Sequence, residues 1–83
     1  MIHERQYTKA KIEKNFATNT LAVYYLTTLC LDLLHEKSRT ITVSSGGCLT
    51  QKLNTDDVFM EQEDFDGTTQ YARNKRQQLC IME

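Results

Sequence analysis

Residues 31–47 read LDLLHEKSRTITVSSGG, and the fold class turns on how they divide. HEKSR (35–39) has the polar composition of a turn, and TITVS (40–44) is rich in β-branched side chains that suit a pleated strand. The glycines that follow, Gly46 and Gly47, end the strand and admit close backbone approaches. Upstream, residues 11–37 contain neither proline nor glycine, and Ile12, Phe16, Val23, Leu26, Cys30 and Leu33 recur at helical spacing. The spacing predicts a long amphipathic helix there. A helix feeding directly into a strand predicts α/β architecture, in which the carboxyl end of a strand faces the ligand crevice. Ser44 and Ser45 would then stand at the rim.

Asn19 breaks the apolar stripe. Steps of three and four lead from Phe16 to Asn19 to Val23, which points an amide where an apolar side chain belongs, and a buried amide needs partners. The bland reading is an asparagine bonded to neighbouring backbone. Residues 48–67 read as a loop carrying Asp56, Asp57, Glu61, Glu63, Asp64 and Asp66; their order does not match a calcium-binding helix-loop-helix, so a solvated acidic loop is expected. From an N-cap at Thr68 or Thr69 a second helix is predicted, with Tyr71, Lys75, Leu79 and Met82 on one face. Tyr71 and Lys75 are one turn apart, so the ammonium lies near the phenol and favours its anion. Alone, such a pair is far more often a surface tyrosine beside a surface lysine than an acid/base couple.

Composition narrows the function classes. The 83 residues make at most one small domain, 40% apolar and 25% charged, with a net charge of −1 that gives no general pull toward nucleic acid or anionic membrane. The basic cluster Arg73, Lys75 and Arg76 reads as a solvated helix face. Cys30, Cys48 and Cys80 are odd in number and widely spaced, which indicates neither a disulfide framework nor a metal site. A reduced, intracellular and cytoplasmic protein is expected. No signal peptide is legible at the start, and the leucine-rich stretch 21–34 is too polar to span a bilayer.

An amide on a core stripe, a serine at a strand end, and a tyrosine and lysine one turn apart come in the order Asn19, Ser45, Tyr71, Lys75. They resemble the Asn, Ser, Tyr, Lys tetrad of the short-chain dehydrogenase/reductase family. The segments EKNFATNTLAVYYLTT (13–28), ITVSSGG (41–47), QKLNTDD (51–57) and FDGTTQYARNKRQQ (65–78) carry the resemblance over nearly the whole chain. It implies a fragment of a Rossmann-like doubly wound parallel sheet, ordered helix, strand, loop, helix. It also implies an NAD- or NADP-dependent oxidoreductase of small carbonyl or alcohol substrates.

Carried over by position, Tyr71 matches the catalytic acid/base and, with Lys75, the family's cofactor-binding positions. A phenol ordinarily loses its proton near pH ~10, so it needs electrostatic help to act at neutral pH. Lys75 matches the residue that supplies that charge and contacts the nicotinamide ribose, Ser45 the one that bonds the substrate oxygen, and Asn19 the amide that bends its helix and fixes a relay water. Ser45 rather than Ser44 is chosen on the family pattern. Two family elements are not found: the Gly-rich TGxxxGxG turn with NNAG, and the later substrate-binding part. Ala22 also stands where the family commonly has glycine. Residues 1–83 therefore read as a partial domain lacking the dinucleotide-binding βαβ unit, for which cofactor binding and independent catalysis are not expected. The competing reading is a non-catalytic helical module that pairs with itself or with a full-length relative, or else an unstable truncated product.

Overall fold

The computed structural model describes residues 1–82, in which two helical runs lie side by side and the remaining chain wraps them. The first run opens as α1 (Lys14–Phe16), passes through a π-helical turn (Ala17–Leu21) and continues as α2 (Ala22–Leu29). Short 3-10 turns follow at Leu31–Leu33 and Gly46–Thr50, and α3 spans Gly67–Ile81.

The first helix is shorter than the 11–37 expected. Lys11 takes a left-handed conformation with φ 63°, which helix cannot continue through. Two residues later the Glu13 carboxyl accepts from the Asn15 and Phe16 amides, capping the start at Lys14. At the far end Leu26, Leu29, Leu31 and Leu33 are all exposed. A short helix draws most of its stability from packing, and with nothing against these leucines the run gives way to a 3-10 turn after Cys30. The 35–39 turn forms as expected, closed by Ser38 N donating to the His35 carbonyl at 2.9 Å.

The expected α/β sheet is not there. No strand occurs among the described residues; the single β-type contact is an isolated antiparallel bridge between Tyr7 and Glu13. Residues 40–44, expected as a strand, run without regular structure, with Ile41 82% and Val43 75% exposed. The reason is pairing. A strand satisfies its backbone only through neighbours, and among the described residues no other segment pairs with this one to form a ladder. The Val43 carbonyl instead accepts from Lys75 Nζ at 3.1 Å. Fold class is therefore helical over the described residues, not a Rossmann-like doubly wound sheet.

α3 begins earlier than expected. Its N-cap is Asp66, whose carboxylate accepts from Thr68 N at 3.0 Å and from the Thr69 hydroxyl at 2.9 Å. Gly67 can be only glycine here: a Cβ would collide with the Ile2 carbonyl oxygen and lie 2.7 Å from His3 Cα. Ile2 is in turn held by Asn15, which accepts from its N–H at 2.8 Å and donates to its carbonyl at 2.9 Å.

Between the helical runs the seam is polar. Glu13, Asn15, Thr20, Gln70, Asn74, Gln77 and Gln78 are buried, whereas the buried apolar residues are Cys48, Met60 and Ala72. Gln70 Nε2 donates to the Val58 carbonyl at 2.9 Å and to Glu13 at 3.3 Å, and the Thr20 hydroxyl donates to Gln77 Oε1 at 2.8 Å. Asn74, with its amide nitrogen toward the Asn15 and Gln70 carbonyls, reaches them at 3.2 and 3.1 Å. Gln70 Oε1 alone among these buried polar atoms has no partner.

The basic cluster is not a free solvated face. Arg73 pairs with Glu63 at 2.7 Å, Arg76 Nε donates to the Gln51 carbonyl at 3.0 Å, and Lys75 holds Val43. Each residue fastens a different piece of irregular chain to α3. The acidic loop is ordered from within, Asp57 accepting from the Glu61 and Gln62 amides at 2.9 Å each.

Candidate functional site

Tyr71 and Lys75 stand one turn apart on α3, and the Lys75 ammonium lies 5.6 Å from the centre of the Tyr71 ring, within cation–π range. Ser45 is the N-cap of the Gly46–Thr50 turn and accepts from Gly47 N at 3.3 Å. That turn packs on α3 at Ala72: a Cβ placed on Gly47 would touch Ala72 Cβ at 3.5 Å and Ser45 Oγ at 3.6 Å. Ser44, the other hydroxyl at this point, is 3.6 Å from Cys48 Sγ.

Asn19 sits in the middle of the π-helical turn, half-buried, where Ala22 N reaches back to the Ala17 carbonyl. Its side-chain Nδ2 donates to the Asn15 carbonyl one turn back at 3.0 Å, a local bond that competes with regular helix geometry. Its main-chain carbonyl accepts from Gln78 Nε2 at 3.0 Å. Asn19 thus bonds neighbouring backbone through its side chain and reaches α3 through its carbonyl.

Tyr71 and Lys75 are brought together directly, Ser45 is placed on the adjoining turn, and Asn19 joins by way of Gln78. Ser45 and Lys75 line separate clefts. Ser45 lines a cleft of about 450 Å³ with Cys48, Leu49 and Leu79, whereas Lys75 lines another of about 240 Å³ with Val23, Thr42, Val43 and Gln78. Gln70, Asn74, Gln77 and Gln78 escaped attention in the sequence, although steps of four and three from 70 to 74 to 77 mark a stripe of amides along one helix face.

Comparison with known proteins gives a decisive match. The chain is 55% identical over 85 aligned positions to dehydrogenase/reductase SDR family member 12 of Bos taurus and 53% identical to its counterpart in Homo sapiens, in each case along 100% of this chain. The chain belongs to the short-chain dehydrogenase/reductase family. It spans 27% of the length of these two family members. No protein-family model matches it, and no solved structure does.

Family membership in general carries a nicotinamide dinucleotide, so the fit of such a group can be tested on the residues present. A pyrophosphate is ordinarily taken at a helix N-terminus, where free N–H groups and the helix dipole meet it. Here both starts are filled by carboxyl groups, Glu13 on Asn15 and Phe16, Asp66 on Thr68. The Ile2–His3 backbone also lies hard against Gly67. Hydrogen bonding to Thr69, then to the Thr68 backbone, holds the Asp66 carboxyl below the ordinary 3.8, so an anion already occupies this helix start. The described residues do not fit the dinucleotide's phosphates. No described helix is long and apolar enough to cross a membrane.

Proposed function

We propose that this chain carries the proton-handling residues of a short-chain dehydrogenase/reductase acting on carbonyl or alcohol substrates. The Lys75 ammonium beside the Tyr71 ring is the observation that carries the reading. Tyr71 is the acid/base: its hydroxyl exchanges a proton with the substrate oxygen. Lys75, one turn along α3, sets its ammonium over the Tyr71 ring. Ser45, on the turn packed against Ala72, hydrogen-bonds the substrate oxygen where charge develops. Asn19 holds the facing helix at its π-helical turn.

NAD or NADP is the cofactor class the family implies. Because both described helix starts are closed by carboxyl groups, phosphate binding has to come from other parts of a family domain, such as the dinucleotide-binding βαβ unit. Substrate selection likewise belongs to segments beyond those this chain shares with its relatives. Residues 1–83 are read as part of a domain, with little or no turnover of their own.

The test joins the chain to the segments that flank the matching region in its relatives and follows carbonyl reduction. Tyr71→Phe keeps the ring and its packing but removes the proton, so turnover should fall by about two to four orders of magnitude with cofactor affinity nearly intact. Lys75→Ala should lower both turnover and cofactor affinity. Near-normal turnover in Tyr71→Phe would reduce the pair to a tyrosine and a lysine on a helix.

A second reading has its own support. Tyr24, Tyr25, Leu26 and Leu29 on α2 are exposed together, which favours a helical module that associates with a second copy or a longer relative.

A further inference from the structure

The Lys75 ammonium has three neighbours: the Tyr71 ring, the Val43 carbonyl, and Gln78 Oε1 at 3.4 Å. The other end of the same Gln78 amide, Nε2, donates to the Asn19 carbonyl at 3.0 Å. Gln78 is 5% exposed, so neither end competes freely with water. The chemistry at the two ends is opposite. An ammonium can only donate and a backbone carbonyl can only accept, so the side chain between them must accept at one end and donate at the other. An amide does this in one orientation only. Glutamate would face the carbonyl with a second acceptor, and methionine or leucine would serve neither end.

We propose that Gln78 is a positioning residue, whose amide ties the Lys75 ammonium to the Asn19 main-chain carbonyl and so holds Lys75 over Tyr71. The link runs from the π-helical turn to α3 and fixes Lys75 and Gln78 against the helix that carries Asn19. The proposal rests on the reading of Tyr71 and Lys75 as the acid/base pair.

Nuclear magnetic resonance on the full 83-residue chain tests it. In the parent protein, a scalar coupling across the hydrogen bond between Gln78 Nε2 and the Asn19 carbonyl carbon is expected, together with an upfield ring-current displacement of the Lys75 ε-methylene by Tyr71. Gln78→Met should lose most of that displacement. Gln78→Glu should keep it, because a carboxylate still receives the ammonium, while the Asn19 carbonyl resonance moves as its donor disappears. A parent chain without the coupling overturns the proposal, even if the variants do not fold. So does a folded Gln78→Met in which Lys75 keeps its displacement. Neither result touches the catalytic reading, which stands or falls on turnover in Tyr71→Phe; that variant keeps the ring and leaves the Gln78 link in place.

Discussion

Gly67 and Asp66 show how much of α3 is decided by two side chains, one of them only a hydrogen. Gly67→Ala sets a methyl against the Ile2–His3 backbone, which cannot yield without disturbing its bonds to Asn15. The expected cost is about 1–3 kcal/mol, read as a lower midpoint in urea unfolding. Asp66 and Asp57 both have carboxyls held below the ordinary 3.8, Asp66 chiefly by the Thr69 hydroxyl and Asp57 chiefly by the Glu61 amide and then that of Gln62. Folded values below unfolded ones mean that the stability they contribute is complete above 3.8 and is lost as pH falls through the folded values. The melting temperature should therefore drop on acidification below that point. Asp66→Asn, which still caps but does not titrate there, should weaken the drop; an unchanged acid profile would contradict this account of the cap.

At the scale of elements, the two helical runs are joined by hydrogen bonds rather than by interlocked apolar side chains. Thr20→Val removes the hydroxyl that donates to the buried Gln77 Oε1, an expected loss of about 1–3 kcal/mol despite the added methyl. A more stable Thr20→Val protein would show the seam to be worth less than its geometry suggests. The capped helix starts lead to a second expectation at this scale. Titration of the 83-residue chain with NADH or NADPH, followed by nicotinamide fluorescence or calorimetry, should give no saturable micromolar binding. Saturation in that range would mean that a phosphate site forms despite Glu13 and Asp66.

Over the whole molecule, the distribution of apolar side chains is the reverse of an ordinary core. Tyr25, Leu26, Leu29, Leu33, Ile41, Val43 and Leu49 face outward while glutamines and asparagines fill the seam. Water disfavours so much uncovered apolar surface, so purified chain should self-associate, with sedimentation coefficients rising with concentration. A monomer at every concentration, melting in a single cooperative transition, would argue against both self-association and the helical-module reading.

Sequence alone determined what depends on local order. The four segments from 13 to 78 carried the family, spacing placed Tyr71 and Lys75 on one helix face, and HEKSR turned where a turn was expected, because these follow from residue type and near neighbours. Only the tertiary structure decided whether TITVS becomes a strand. A strand is a property of its partners, and with none beside it the Val43 carbonyl went to Lys75. The same holds for the helix over 11–37, whose leucines predicted a length that only packing against them could have sustained. The bonds of the amide seam, and the link of Gln78 to Lys75 and Asn19, were likewise not legible: periodicity shows which residues share a face, but hydrogen bonds across 59 positions exist only once two helices meet.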